Sequence, residues 1–329
     1  MRNSLTFWIG AAVFLVVCTV LALTLKDEYA FRFGYTVLQF ILLATAWNIL
    51  GGYAGYVNFG SNAFFGIGAY TSVFLFKAFD LPLLLQILAA ACVGALLGIG
   101  TGIMTLRLRG IFYSIGTVAI GIIIETLVLN WRYVGGASGI QLQSPPPLPP
   151  FDSYIKMMFV VAAILVVIGV ATARYVETSW IGRGLKAIRD DEVAAECSGV
   201  PTLKLKLIAC GLSGALMCVA GAPSPMFQQY AIPSAVFDLN YSVYALAMSL
   251  IGGTAHWIGP VIGAVVLSST QQIVGVTISS ELNVLVLGVM LVMFVIVAPD
   301  GIIGWFRRKP RTAAEPAATA EPVAPGARS

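Results

Sequence analysis

Side chains that could carry out covalent chemistry are scarce in this chain of 329 residues. The sequence contains one histidine, His256, and its five cysteines include no C-x-x-C pair of the kind that holds a metal or forms a redox site. It also lacks the G-x-x-x-x-G-K-[S/T] loop that cradles nucleotide phosphates. We therefore expect no catalytic residue, no metal site and no cofactor bound by this chain. His256, in the segment IGGTAHWIGP, is interpreted as a hydrogen-bonding residue at a membrane interface.

Polar groups surrounded by apolar sequence are a second class of candidate. Residues 47–70 read WNILGGYAGYVNFGSNAFFGIGAY, where asparagines and a serine stand among glycines. Glycine lets helices pack closely or lets a helix break, and a broken helix exposes backbone groups to a cavity that can bind a solute. We interpret the stretch as part of a translocation path, and close helix packing without solute contact is the alternative.

Glu125 is the one carboxylate deep inside a predicted span. A charged side chain at the centre of a bilayer costs about 3 kcal/mol unless it is paired or near water. We expect Glu125 to face the bundle interior or a cavity, either in an ion pair with Arg132 or on the path itself. The predicted path residues are Asn48, Gly52, Gly55, Asn58, Ser61, Asn62, Phe65 and Glu125.

The largest polar stretch between apolar segments, residues 177–202, reads ETSWIGRGLKAIRDDEVAAECSGVPT. It is predicted to form one short surface helix, capped by Thr178 or Ser179 and stopped at Gly199. A helix that combines an apolar ridge with charged flanks is suited to a groove on a partner, so we interpret the stretch as a docking helix. A solvated connector lying on the membrane is the alternative. The predicted ridge consists of Ile181, Leu185, Ile188 and Ala195.

The segment from Trp131 to Asp152 is predicted to be the main loop on the outer side of the membrane, opposite to the polar stretch 177–202. Its glycines and its run of prolines make it rich in turns and stiff. It is either a passive connector or a landing site for an external partner.

The elements that position these residues are predicted from hydropathy. Only 10% of the residues are charged and the mean hydropathy is +0.89, so much of the surface must face lipid. We predict an all-α polytopic membrane protein with about ten transmembrane helices, or eight if glycine-rich 51–68 and the short spans at 239–276 are re-entrant. The predicted spans are 5–25, 33–50, 55–78, 82–106, 110–130, 154–176, 202–222, 239–255, 258–276 and 281–299.

The basic residues predict the orientation. With the N-terminus inside, 14 of the 19 Lys and Arg fall on the cytoplasmic side, as expected for cytoplasmic loops. Both termini, and the polar stretch 178–200, are then cytoplasmic. We predict one transmembrane domain over residues 1–306 and a disordered cytoplasmic tail over residues 307–329, where alanine, proline, threonine and glutamate follow a basic start.

Four stretches together resemble the permease subunits of branched-chain amino-acid ABC transporters. They are GGYAGYVNFGSNAFFGIGAY from Gly51, VGGASGI at 134–140, GRGLKAIRDDEVAAECSGV at 182–200 and GGTAHWIGPVIGA at 252–264. The resemblance covers roughly residues 35–300 in consistent order. Ser61 stands where the family usually has histidine, and Ser138 where it has aspartate, so the solute is left open among amino acids, amides, urea-like solutes and carboxylates.

The resemblance implies a bacterial inner-membrane importer for a branched-chain amino acid or a related small solute. Its implied partners are a second, usually non-identical permease, two ATPase subunits that hold ATP and Mg, a periplasmic solute-binding protein and membrane lipid, with no nucleic acid. Residues 182–199 would couple to the ATPase through Gly182, Arg183, Leu185, Ile188, Arg189, Asp190, Asp191, Glu192, Ala194, Ala195 and Gly199. The outer loop would dock the binding protein through Gly135, Gly136, Ser138 and Gly139.

Two other classes of protein compete with this interpretation. A stand-alone secondary transporter or channel fits the apolar composition, but it has no need of an ATPase-docking helix. A membrane-embedded enzyme would need a nucleophile with its base, a metal site or a cofactor motif, and none is evident in the sequence.

Overall fold

Apolar segments and helix-stopping residues divide the chain into a series of helices. The computed structural model describes residues 2–105, 108, 110–143, 149, 151–277, 282–297 and 301–307. The helices of this described part are α1 (Arg2–Thr24), α2 (Glu28–Ala54), α3 (Ser61–Phe79), α4 (Leu83–Thr105), α5 (Ile111–Leu129), α6 (Tyr154–Thr178), α7 (Trp180–Asp190), α8 (Glu192–Cys197), α9 (Thr202–Gly221), α10 (Ser224–Gln228), α11 (Pro233–Val236), α12 (Asn240–Gly252), α13 (Ile258–Thr277), α14 (Leu282–Val297) and α15 (Gly301–Arg307).

Seven helical stretches in the described part of the chain are long and apolar enough to cross a membrane. They are Leu5–Thr24, Glu28–Ala54, Leu83–Thr105, Ile111–Leu129, Tyr154–Thr178, Thr202–Gln228 and Pro233–Gly252. The all-α polytopic architecture is therefore confirmed, whereas the count of ten is not. Residues 308–329 lie outside the described residues, so the disordered tail stays a prediction.

Helix α2 is the central helix of the bundle and packs against α6, α9, α12 and α13. Hydroxyl groups of its neighbours donate to its main-chain carbonyls: Ser213 Oγ to Ala46 at 2.8 Å and Ser249 Oγ to Ala44 at 3.0 Å. In return, Gln39 of α2 donates to the carbonyl of Ala220 at 3.1 Å. Each of these buried side chains therefore has a hydrogen-bond partner, as a low-dielectric interior requires.

Helices α4 and α9 make a close contact through glycine. Gly94, Gly98 and Gly102 recur every four residues on one face of α4, a spacing that lets helix backbones approach closely within a membrane. A Cβ atom at Gly94 would lie 2.5 Å from the carbonyl oxygen of Gly214 in α9. By contrast, α1 and α5 expose most of their apolar side chains, which is expected of helices that face lipid or another subunit.

Two interruptions of the helices matter for function. Helix α2 ends at Gly55, whose φ of 78° suits glycine, and residues 55–60 are not helical. The helix within the predicted span 55–78 therefore begins at Ser61, and this helix, α3, is not among the seven stretches that are long and apolar enough to cross a membrane. On the opposite side of the bundle, residues 229–239 separate α10 from α12 and contain the two-residue strand β2 (Tyr230–Ala231). This strand pairs antiparallel with β1 (Ile140–Gln141), with Ile140 opposite Ala231.

Candidate translocation path and coupling site

The start of α3 meets the start of α12 in a buried polar cluster. The Asn62 main-chain N–H donates to Ser242 Oγ at 2.8 Å, and Ser242 Oγ donates to Asn62 Oδ1 at 3.2 Å. Asn62 Nδ2 donates to the carbonyl of Phe237 at 2.6 Å. Ser61, Asn62 and Ser242 are all buried. The cluster thus joins the two helix starts through polar groups that could instead bind a solute if the helices separated.

Residues 55–60 fold back into the bundle beside this cluster. Trp47 lies seven residues before the end of α2, about 10 Å along the helix, and its Nε1 donates to the carbonyl of Asn58 at 2.8 Å. Asn58 Oδ1 accepts from the main-chain N–H of Gly60 at 2.7 Å. From α5, Thr117 Oγ1 accepts from the N–H of Phe59 at 3.2 Å. Backbone groups that no helix satisfies are therefore held by side chains.

Space at the cluster is small in this conformation. Asn58, Gly60 and Thr117 line a cavity of about 20 Å³, which has room for a water molecule. Phe65 is fully buried, and its ring stacks on Tyr241 at a centroid distance of 4.3 Å. In this conformation the cavity is too small for an amino acid.

Three of the predicted path residues lie away from the cluster. Asn48 Nδ2 donates to the carbonyl of Thr254 at 3.3 Å, and the carbonyl of Gly52 accepts from Arg189 at 2.7 Å. Gly55 lies against the side chain of Arg189, because a Cβ there would be 3.1 Å from Arg189 Cγ. The structure thus places Gly52 and Gly55 against Arg189, within the polar stretch 177–202, and Asn48 against the loop before α13.

Glu125 lies on the exposed side of α5 and is half-buried. Although the structure describes both residues, no ion pair joins Glu125 to Arg132, so the predicted pair is not formed. Asp238, before α12, is close enough to act electrostatically on Glu125. A carboxylate in a span is costly against lipid. This face of α5 therefore suits water or another protein better than lipid.

The polar stretch 177–202 forms two helices, so the prediction of one continuous helix was wrong. Helix α7 ends at Asp190, and the extended residue Asp191 begins α8 with its side chain accepting from the amides of Val193 at 2.9 Å and Ala194 at 3.0 Å. Ser179 is the N-cap residue of α7, but its Oγ donates backwards to Val176 and makes no cap. Gly199 has a φ of 81° beyond the end of α8, in agreement with its predicted role as a stop.

The predicted apolar ridge faces the rest of this chain. Leu185 is 0% exposed, Ile188 4% and Ala195 5%, all packed in this chain's own core. The apolar stripe of an amphipathic helix faces the core on which the helix packs. These side chains therefore do not form a ridge that a partner contacts. Gly182 is also buried. The exposed residues of the predicted coupling set are Arg183, Arg189, Asp190, Asp191, Ala194 and Gly199.

A charged cluster connects α8 to the rest of the molecule. Glu192 forms an ion pair with Lys206 of α9, whose side chain is 3% exposed. Glu192 Oε2 also accepts from the hydroxyl of Tyr56 at 2.7 Å. The Lys206 ammonium lies 4.9 Å from the centre of the Tyr56 ring. Glu192, predicted as a coupling residue, therefore contacts the non-helical segment that carries Asn58.

The outer loop is tied to the segment before α12. Gly135, Gly136 and Gly139 have φ values of 100°, 52° and 72°, so the turn depends on glycine at these positions. The hydroxyl of Tyr230 donates to the carbonyl of Ser138 at 2.9 Å, beside the β1–β2 pair. The four predicted docking residues thus lie together on a short, stiff turn, and Ser138 is exposed there.

Several residues of these sites were not predicted. Ser242 and Tyr56 carry no sequence signal beyond their hydroxyl groups. Lys206 could have been found, because a lysine in an apolar helix needs a nearby carboxylate. Val193 is a valine at 54% exposure on α8, and it could have been found as the apolar residue among the charged side chains of the stretch.

Comparison with known proteins decides the family. A family model described as the permease component of the branched-chain amino acid transport system matches residues 29–295. The chain belongs to this family. In this permease the matched range contains the polar cluster, the 131–141 turn and α7–α8, while α1 precedes it. The protein is thus a permease component of a transport system by family.

The curated relatives are permeases as well. The high-affinity branched-chain amino acid transport system permease protein LivM of Salmonella typhimurium is 27% identical over 290 residues, covering 80% of this chain and 67% of LivM. The corresponding LivH protein of Escherichia coli is 23% identical over 284 residues, covering 80% of this chain and 91% of LivH. A probable LivH of Methanocaldococcus jannaschii is 24% identical over 267 residues, covering 75% of this chain and 82% of that protein. No solved structure matches the chain.

Proposed function

We propose that this permease is one membrane subunit of an ABC importer in a bacterial inner membrane. It carries a branched-chain amino acid, or a related small amino-acid-like or carboxylate solute, into the cytoplasm. Two separate ATPase subunits bind and hydrolyse ATP with Mg, and a periplasmic binding protein delivers the solute. The observation that carries the proposal is α7–α8, a pair of helices that is anchored on its apolar side and exposes charged residues on the other.

A second permease subunit is expected to complete the path. Both LivM and LivH are described as permease proteins of a high-affinity branched-chain amino acid system, which favours a non-identical sister subunit. The half-buried carboxylate Glu125 and the apolar exposed residues of α5 favour this helix as the surface that the sister subunit meets.

The cytoplasmic side is assigned from the arrangement of charges. Helices α7–α8, the end of α2 and the loop before α13 share one end of the bundle, through contacts such as Glu177 Oε2 with the amide of Trp257 at 2.8 Å. Exposed Arg183, Lys186 and Arg189 belong to this end. An excess of basic residues is typical of cytoplasmic loops, which supports the proposal that both termini are cytoplasmic and that the 131–141 turn is outside.

Contact with the ATPase is tested at Val193, because the inward-facing ridge is not available to a partner. An exposed valine that becomes buried in a groove contributes roughly 1.5–3 kcal/mol, which corresponds to about a tenfold to hundredfold change in affinity. Val193→Asp should therefore yield folded permease that purifies without ATPase subunits. Val193→Thr keeps the branched shape without a charge, so it is the matched control and should retain them.

The transport reaction is tested in proteoliposomes that hold the co-purified complex. Uptake of leucine, isoleucine and valine should require both internal ATP and the external binding protein. Uptake by the permease alone, down a solute gradient and without ATP, would favour a stand-alone transporter or channel. Full retention of the ATPase by Val193→Asp would show that α8 is not the contact.

A further inference from the structure

Residues 55–60 join α2 to α3 and are not helical. Gly55 sits at one end with a φ of 78°, and Gly60 at the other lies so close to α5 that a Cβ would be 2.8 Å from the carbonyl of Thr117. Within a membrane, non-helical backbone is tolerated only where it is buried in protein or lines a water-filled cavity, and discontinuous helices form the solute sites of many transporters. We call these residues the 55–60 segment.

One end of the 55–60 segment is held by the coupling helices. Tyr56 donates to Glu192 Oε2 at 2.7 Å, and Glu192 pairs with Lys206. Next to it, Arg189 Nη1 donates to the carbonyl of Gly52, the fourth residue before Tyr56, at 2.7 Å. Because Lys206 is almost fully buried, separating it from Glu192 would leave an uncompensated charge in the interior. Helix α8 therefore cannot move without Lys206 or Tyr56 following it.

The other end of the 55–60 segment is the polar cluster. Asn58 is only two residues beyond Tyr56, and its carbonyl accepts from Trp47 at 2.8 Å. Ser61 and Asn62 follow directly, with Asn62 bonded to Ser242 and to the carbonyl of Phe237. Because only one residue separates Tyr56 from Asn58, even a small displacement of Tyr56 also displaces Asn58.

Helix α8, helix α9 and the 55–60 segment, which Glu192, Lys206 and Tyr56 connect, differ in stiffness. Helix α9, which carries Lys206, is packed on α4 through glycines and is bonded to α2 by Ser213. The 55–60 segment has no helix of its own to resist bending. When α8 is pushed, the segment is therefore the part that yields.

We propose that Tyr56, Glu192 and Lys206 are positioning residues. They transmit movement of α7–α8 through the 55–60 segment, which contains Asn58, to the polar cluster at Ser61 and Asn62. ATP-driven movement at the cytoplasmic end thereby opens or closes the path at the cluster. The proposal rests on the proposed function, because it needs an ATPase that moves α7–α8.

The first test compares Tyr56→Phe with Tyr175→Phe in the purified complex with its ATPase and binding protein. Tyr56→Phe removes only the hydroxyl bonded to Glu192 and keeps the ring beside Lys206. Tyr175 is an exposed tyrosine of α6 and serves as the matched control. Loss of a hydrogen bond to a charged group predicts a drop of roughly tenfold in solute imported per ATP hydrolysed for Tyr56→Phe, with the ATPase still bound. Tyr175→Phe should match wild type.

The second test follows the segment itself. A nitroxide label on Val57→Cys, with exposed Cys92 and Cys197 replaced by serine, reports local mobility by electron paramagnetic resonance. ATP with vanadate should change the spectrum of the otherwise wild-type complex, and Tyr56→Phe should abolish that change.

The outcomes separate the two proposals. Suppose that wild type and Tyr56→Phe import equal amounts of solute per ATP hydrolysed, and that the spectrum of Tyr56→Phe still changes with nucleotide. This result would overturn the transmission proposal alone. Loss of the ATPase from Tyr56→Phe would also overturn it, since the residue would then merely hold α8 in place. A wild-type permease that retains no ATPase would overturn the proposed function and this inference with it.

Discussion

Replacing Gly94 with alanine places a methyl group at the point where α4 and α9 touch. The new Cβ would lie 2.5 Å from the carbonyl oxygen of Gly214 and 2.7 Å from Cys218 Cβ. A carbon and a carbonyl oxygen normally approach to about 3.3 Å, so the helices must separate by about 0.8 Å. Such overpacking costs about 1–3 kcal/mol.

Gly100 of the same helix provides the matched control. A Cβ there meets nothing within 4 Å, while alanine improves helix propensity by about 1 kcal/mol at either position. The propensity gain cancels when the two variants are compared, and the difference between them isolates the cost of overpacking. We expect Gly100→Ala to be slightly more stable than wild type and Gly94→Ala to be about 1–3 kcal/mol less stable than Gly100→Ala.

Thermal unfolding of the purified permease, followed by tryptophan fluorescence, measures this difference. For a chain of this size, 1 kcal/mol shifts the midpoint by about 1–2 °C. A Gly94→Ala midpoint equal to or above that of Gly100→Ala would show that α4 and α9 do not meet through Gly94.

Three further predictions concern the coupling helices, the path and the topology. Asp191→Ala should loosen α8 by about 0.5–2 kcal/mol, seen as faster hydrogen exchange of its amides, whereas Asp191→Asn should cap equally well. Asn62→Leu should abolish uptake with the complex still assembled, while Asn130→Leu at the exposed C-cap of α5 should not; equal uptake by both would make the cluster a packing feature. Ser138→Cys and Ser198→Cys should react with an impermeant maleimide from opposite sides of the membrane, and reaction from one side would contradict the orientation.

Much of the fold follows from hydropathy, because apolar runs of span length have few alternatives to a membrane helix. The glycine-rich apolar run around Asn58, Ser61 and Asn62 was compatible with a helix break or with close helix packing, and the predicted span 55–78 placed residues 55–60 inside a helix, where the structure has none. Sequence could not show that Asn62 bonds to Ser242, since 180 residues separate them and neither carries a signal of its partner.

The coupling stretch shows where sequence reasoning failed and why. An apolar stripe tells which face of a helix is buried, but not whether the permease or a partner buries it. Leu185 and Ile188 were therefore assigned to the wrong neighbour. The break at Asp191 was missed because an aspartate inside a helical pattern and an aspartate that caps a new helix look alike in sequence.

The hydrogen bonds that hold α2 in the bundle bear on how movements within this transporter can be measured. Ser213, Ser249 and Gln272, from three different helices, all donate to main-chain oxygens of α2. Because such oxygens are present whatever residue α2 carries, this anchoring survives most substitutions along it. A probe at exposed Arg32, on the outer part of α2, is therefore a suitable fixed reference for distance measurements, against which displacements of α1 and α5 are to be recorded.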